Sequence, residues 1–320
     1  MSAEGTLDTE IDDILTLSQE LTEGDGLIKG QIRLYDVDSD EDTLESNPGR
    51  FFNRTLLTDG LEDSLKRLRD TLQGEDNTRI HEMYGPYGTG KSHQMVAMYH
   101  CFNSPDVVED WADGRVEGLE GTLPRDALPV VVSLQKEQSE YLWEPLFDAL
   151  DYEVTEADYD DEGGYPTIDV IEEAVGDRTV AFFMDELEDW FGPLEGRRES
   201  ANKGFLQALL ETTSRTNLYA IVSVLREGSD VHDILSRQTR VEVNMSNQVD
   251  IKDVLRHRLV EPGSIDMRAV EALVDKYIEA YHGTDYVEMP DGLREEMHDT
   301  YPFHPTLIES LKTRYFAETE

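Results

Sequence analysis

Between Arg79 and His100 the chain reads RIHEMYGPYGTGKSHQMVAMYH: a short apolar run, a loop with three glycines, a Lys-Ser pair and an amphipathic pattern. Residues 85–92, GPYGTGKS, satisfy G-x-x-x-x-G-K-[ST] at every fixed position, the spacing of a loop that wraps nucleotide phosphates. Gly85, Gly88 and Gly90 let the backbone turn its N–H groups toward phosphate oxygens, where side chains would obstruct the approach. The N-terminus of the following helix adds partial positive charge. Lys91 is placed to reach the β- and γ-phosphates, and the Ser92 hydroxyl to ligate Mg²⁺. The candidate nucleotide-contacting residues are Gly85, Pro86, Tyr87, Gly88, Thr89, Gly90, Lys91, Ser92 and His93. ATP and Mg²⁺ are the expected cofactors. A glycine-rich turn with no ligand is the plainer alternative, and the strand and helix patterns flanking the loop count against it.

Such a loop needs an acidic element on a neighbouring strand. Residues 179–190, TVAFFMDELEDW, supply one, because four apolar residues deliver Asp185 and Glu186 to the C-terminal end of a strand. Ligands of open α/β sheets bind at that end. Asp185 is the candidate Mg²⁺ ligand beside Ser92, and Glu186 the group that orients and polarises the attacking water. Glu188 and Asp189 lie beyond the apolar run and are expected to face solvent. The strand in NLYAIVSVLREGSD, residues 217–230, should lie between the other two. On it Ser223, or Arg226 beyond it, could sense the γ-phosphate; Ser223 as a small core residue is the alternative. In ILSRQTRVEV, residues 234–243, Arg237 and Arg240 are candidates to reach a neighbouring subunit's nucleotide. Ordinary surface arginines are the other reading.

Outward from this centre, strands are predicted at Ile80–Tyr84, Leu128–Leu134, Thr179–Met184, Leu218–Leu225 and Val241–Val243, separated by helical patterns. That alternation predicts an α/β fold with a parallel sheet covered on both faces. Ahead of it, residues 7–22 carry Leu7, Ile11, Ile14, Leu15 and Leu21 at helical spacing, and residues 51–74 read as one helix closed by Gly74. After residue 246 the pattern turns helical at 250–260, 267–282, 291–299 and 305–316. The expected division is an N-terminal helical segment (1–76), a nucleotide-binding core (77–245) and a small helical domain (246–320). The acidic loops at 36–49 and 158–169 miss the glycine or closing glutamate of a calcium loop. No histidine pair has the spacing of a zinc site.

Composition sets the environment. Seventy acidic residues against 28 basic ones give a formal charge of −42, yet 38% of the chain is hydrophobic and the apolar residues are periodic. Self-repulsion of this size opposes a compact state at ordinary salt, whereas in molar salt the Debye length falls to roughly 3 Å. Together with eight Lys against twenty Arg, this points to a halophilic cytoplasm; an acidic surface selected for a basic partner is the alternative. One cysteine, Cys101, rules out an intrachain disulfide and fits a reducing interior. The acidic start is unlike a signal peptide, and no apolar run has membrane-spanning length, so a cytoplasmic location is expected. No basic stripe stands out for duplex binding; contact with DNA is expected through partners.

In the order glycine loop, acidic strand, Ser223 strand and helical tail, the chain resembles the AAA+ ATPases, whose small helical lid the segment from DIKDVLRHRLVEPG is similar to. It resembles more closely the family catalogued as domain of unknown function 499, related to ATP-binding subunits of BREX-type phage-defence systems. The segments RFFNRTLLTDGLEDSLKRL, GPYGTGKSHQMVAMYH and YPFHPTLIESLKTRYF carry that likeness. Members are usually much longer, so the chain is expected to be the ATPase module of a larger protein. The resemblance implies ATP hydrolysis by an oligomer or larger complex, coupled to remodelling of a DNA-associated assembly beside methyltransferase or nuclease partners. It departs at the last helix, where many AAA+ proteins carry a sensing arginine and His304 stands instead. A slow ATP-operated switch or scaffold, and a replication-initiator-like ATPase, remain the alternatives.

Overall fold

The computed structural model describes residues 10–18, 32–39, 41–132, 139–161, 163–225, 228–245, 251–283 and 290–316. The chain divides into two compact units, residues 32–249 and residues 1–31 together with 250–320.

The larger unit is built on a five-stranded sheet of order β2-β3-β4-β1-β5, with β1 Ile80–Tyr84, β2 Ala127–Val132, β3 Thr179–Met184, β4 Leu218–Val224 and β5 Val241–Asn244. Every pairing is parallel, and β4 lies between β1 and β3 as the sequence predicts. The strands β2, β3 and β4 read as largely apolar runs, as strands of a sheet covered on both faces do, whereas β1 and β5 carry Glu82 and Glu242. On one face Ile80, Val132, Phe182, Met184, Ala220 and Val222 pack with Trp143, Phe147, Phe205 and Leu209. On the other, Met83, Phe183, Tyr219 and Ile221 pack with Met95, Met98, Phe102 and Leu68. Successive residues of one strand thus serve opposite cores.

Among the described residues of the larger unit, a 3-10 turn, Leu34–Asp36, and two α-helices precede the sheet. Residues 51–74 are not the single helix that periodicity predicts: α1 is Pro48–Asn53 and α2 is Asp59–Leu72. The break arises because Thr55 turns its hydroxyl back onto the Phe51 carbonyl at 2.8 Å. Thr58 then caps a new helix, its side chain accepting the Leu61 N–H. Gly74 follows α2 at φ +75°, a left-handed value suited to a helix end. Then come α3 Lys91–Asn103, α4 Pro105–Ala112, α5 Glu144–Ala149, α6 Ile168–Val175, α7 Leu187–Phe191, α8 Gly196–Thr212 and α9 Asp230–Leu235.

The smaller unit holds α10 Ile251–Leu259, α11 Met267–His282, α12 Leu293–Thr300 and α13 Pro305–Phe316. Val270, Val274, Leu293 and Met297 form its core with Ile14. Of the helix expected over 7–22, the described residues 10–18 hold a single 3-10 turn, Ile11–Asp13. Beyond it the chain is extended: Leu17 bridges Val260, and the Ser18 N–H donates to the Leu259 carbonyl at 3.0 Å. Pairing with 259–261 has overridden the helical spacing; Leu7 and Leu21 lie outside the described residues. Among the described residues no helix is long and apolar enough to cross a membrane.

Candidate functional site

β1 ends at Tyr84, and the chain leaves the sheet into the glycine loop, whose Gly85 N–H donates to the Val224 carbonyl of β4 at 3.3 Å. Gly88 and Gly90 have φ of +81° and +93°, values that residues with a Cβ adopt only with strain. Gly90 is also the N-cap of α3 and no side chain caps it. The first intrahelical bond runs from the Gln94 N–H to the Gly90 carbonyl at 3.0 Å. The N–H groups of Lys91, Ser92 and His93 precede it and point out of the helix end. Thr89 fixes the loop from within, its hydroxyl donating to the Pro86 carbonyl at 2.9 Å.

Lys91 is buried, and its ammonium donates to the Gly85 carbonyl and, at 3.0 Å, to the Pro86 carbonyl. Burial pulls its pKa down from the ordinary lysine value; the nearby carboxylates of Asp185, Glu186, Glu188 and Asp189 oppose that shift. One ammonium therefore stands among four carboxylates contributed by the end of β3 and by α7. Tyr87, 53% exposed, spans the gap between the loop and α7, donating its hydroxyl to Asp189 Oδ2 at 2.7 Å. Its ring centroid lies 5.7 Å from the Lys91 ammonium. Burial, then the bond to Asp189 and the surrounding carboxylates, push the Tyr87 pKa upward.

Asp185 and Glu186 leave the end of β3 as expected. Glu186 adopts φ +52° and ψ 44°, a left-handed conformation that costs a non-glycine residue on the order of 1 kcal/mol. Ser223 holds it there. Its hydroxyl, fully buried on β4, accepts the Glu186 N–H at 2.9 Å and donates to Asp185 Oδ1. Ser223 is thus neither an idle core residue nor free to turn elsewhere.

Glu188 does not face solvent. Because α7 begins directly after Glu186, the chain doubles back over β4, and Glu188 Oε2 accepts the Leu225 N–H at 2.7 Å. Its Oε1 is buried with no hydrogen-bond partner among the described residues. Asp189 is exposed, as the sequence predicts.

Two other expected contributors, His93 and Arg240, turn their side chains elsewhere. The His93 side chain is turned to the N-terminal segment: its ring stacks on Phe51 at 4.6 Å and its Nε2 lies 3.0 Å from Thr55 Oγ1. Only the His93 backbone remains beside the loop. Arg240 offers no free guanidinium, since it is bound to Glu82 and to Glu242, the latter at 2.6 Å. Arg237 is exposed in the turn after α9, without a side-chain partner among the described residues. Arg226 lies outside the described residues.

No local pattern in the sequence marks the Tyr87–Asp189 and Glu188–Leu225 contacts, which join residues over a hundred and nearly forty positions apart. Glu82 did carry a signal: a charge inside the strand IHEMY must find partners if it is buried.

The donor set fits a phosphate group, to which an uncapped helix end and a buried ammonium are suited. Among the described residues no group of three or more His, Cys, Asp or Glu could hold a metal ion by itself; Ser92 and Asp185 would offer one hydroxyl and one carboxylate, the few protein ligands Mg²⁺ takes where phosphates supply others. The family model described as the DUF499 N-terminal domain matches residues 29–138, about a third of the chain, including the glycine loop. No curated protein matches. Among solved structures, that of C. elegans PCH-2 aligns at 14% identity over 78% of this chain and 56% of its own, with a TM-score of 0.31. The chain thus spans little more than half of that protein, and a likeness this weak carries no argument about function.

Proposed function

We propose that residues 32–249 bind Mg²⁺-ATP at the glycine loop and hydrolyse it, as an AAA+-like module. The observation that carries this reading is the pairing, across β4, of a lysine-bearing loop on β1 with an acidic pair on β3. Strands separated by one neighbour are about 10 Å apart, room for a phosphate chain and a hydrated cation between loop and carboxylates. The N–H groups of residues 91–93 and the Lys91 ammonium would hold the phosphates, Lys91 exchanging its own loop carbonyls for phosphate oxygens. Ser92 and Asp185 would hold Mg²⁺, which supplies charge neutralisation of the phosphates. Glu186 takes a proton from the attacking water, and Ser223 fixes the direction in which it points.

Of the two arginines that precede β5, Arg237 is the one whose side chain is not engaged among the described residues, and we assign it to a neighbouring copy's site, in an oligomer in which turnover depends on assembly. The setting we propose is a DNA-associated complex, of the phage-defence or restriction-like kind the resemblance implies, in a salt-rich cytoplasm. The charge of −42 supports the salt-rich setting, and the match over the loop supports likeness to the DUF499 N-terminal domain, from which the defence setting is our extension.

Equilibrium binding of a fluorescent ATP analogue to wild type and to Lys91→Ala tests the site. Binding should weaken at least tenfold in the variant; equal affinity would remove the glycine loop from the nucleotide site.

A further inference from the structure

We propose that Glu82 is a positioning residue, a buried clasp that holds the turn bearing Arg237 in the attitude needed to serve a second copy's nucleotide. This inference rests on the ATPase reading above and assigns a role to three residues which that reading leaves unused.

Glu82 lies in the middle of β1 and is fully buried. Its two carboxylate oxygens are both taken by one short stretch of chain: Oε1 lies 2.6 Å from His232 Nδ1, and Oε2 accepts from Arg240 Nε. A carboxylate bound to a guanidinium accepts hydrogen bonds, so Nδ1 is the protonated nitrogen of His232 in this contact. His232 belongs to α9, and Arg240 stands just before β5. Arg237 lies between them, in an exposed turn closed by bonds from Ser236 N–H to the His232 carbonyl and Gln238 N–H to the Leu235 carbonyl, at 2.8 and 3.0 Å. Both ends of the Arg237 turn are therefore pinned to one carboxylate, while the middle is exposed.

Packing alone does not call for this arrangement. A buried ionic cluster is seldom more stabilising than apolar residues of the same volume, but it fixes direction as well as distance. What it fixes here is an exposed arginine at the edge of the glycine-loop strand in a strongly acidic chain. Glu82 also stands three residues ahead of Gly85, so the clasp ties the Arg237 turn to the strand that carries the chain's own glycine loop. A catalytic group displaced by about 1 Å can lose roughly a hundredfold in rate, which gives such a clasp something to protect.

The test is complementation between copies. Arg237→Ala keeps its own loop and acidic pair but has no arginine to offer; Glu186→Gln keeps Arg237 but lacks the water-activating carboxylate. A mixture of the two should turn over ATP faster than either alone, by tenfold or more. Replacing the donor with the double variant Glu186→Gln/Glu82→Gln should then abolish most of that gain, because the donor's own catalysis is not being read. Donor folding is checked by ATP-analogue binding and by its melting temperature. His232→Gln in the donor, milder because it leaves the Glu82–Arg240 pair intact, should give an intermediate loss. Full complementation by folded Glu82→Gln and His232→Gln donors would overturn the clasp while leaving the ATPase reading intact. Turnover by wild type with no complementation by the Glu186→Gln donor would overturn both the clasp and the role of Arg237 in trans. Absence of turnover in the wild type would instead overturn the reading on which the inference rests.

Discussion

The Ser223 hydroxyl joins the two acidic residues that follow β3, donating to the Asp185 carboxylate and accepting the Glu186 backbone N–H at 2.9 Å. One atom of the neighbouring strand thus sets the side chain of the first acid and the backbone of the second. Removing it by Ser223→Ala strips the acceptor from a partly buried N–H, which costs about 1–3 kcal/mol, and frees Glu186 to leave its left-handed conformation. The catalytic rate should fall about ten- to a hundredfold, with ATP affinity within about threefold of wild type. A changed KM with unchanged kcat would mean that Ser223 serves binding instead.

Tyr165 lies against two glycines, Gly163 and Gly204, and at Gly204 a Cβ would stand 2.2 Å from its ring. Gly204 is inside α8, where alanine gains about 1 kcal/mol in helix propensity. Overpacking costs about 1–3 kcal/mol, and the contact is with ring carbons held near Gly163 as well, so the steric effect should prevail. Gly204→Ala is expected to lower stability by about 1–2 kcal/mol in chemical denaturation. The same change in a Tyr165→Ala background should be neutral or stabilising. An equal loss in both backgrounds would exclude the ring as the cause.

Acid sensitivity should come from two buried histidines. Burial, the main cause for each, pushes His81 and His100 down to about 4 from the ordinary value of 6.5. Neither ring nitrogen of His81 has a hydrogen-bond partner among the described residues. Both rings are neutral in the folded chain, while the unfolded chain takes up protons below pH 6.5. Their favourable contribution is therefore complete above pH 6.5 and is lost as pH falls from 6.5 toward 4, by about 2 kcal/mol each at pH 5. His81→Leu should flatten the fall in unfolding free energy between pH 7 and 5 by about that amount. A variant with the wild-type slope would show that His81 does not carry it.

The sheet was legible in the sequence because three strands are short apolar runs ended by a charge or a turn, and the other two are short β-rich stretches placed by the glycine loop and the turn beside them. Periodicity failed where side-chain and backbone bonds outweighed it. Thr55 folding onto Phe51 and Thr58 capping α2 divide one apparent helix into two, and pairing of Leu17 with Val260 draws out another. In the candidate site, the loop and the acidic pair were visible as local motifs. The tyrosine that bridges them, and the carboxylate of Glu188 turned inward, depend on where α7 folds back. Arg240 and Arg237 look alike in the sequence; only the depth of Glu82 separates a clasped arginine from an exposed one.

A charge of −42 on 320 residues should make stability depend on salt. At 0.1 M the Debye length is about 10 Å, comparable with the spacing of surface carboxylates, and above 1 M it is roughly 3 Å or less. The melting temperature should rise steadily between 0.1 and 2 M KCl, and rise similarly in NaCl if screening is the cause. A flat or falling curve would remove the argument for a salt-rich setting.

The most direct test of the ATPase reading is Mg²⁺-ATP turnover in about 2 M KCl, wild type against Glu186→Gln, over a range of protein concentrations. Wild type should hydrolyse ATP, with a rate per chain that rises with concentration. The variant should lose at least about a hundredfold in rate while binding ATP as tightly. Equal turnover in the two proteins, or none in either while ATP stays bound, would contradict the role assigned to Glu186 and leave the glycine loop as a nucleotide-holding element only.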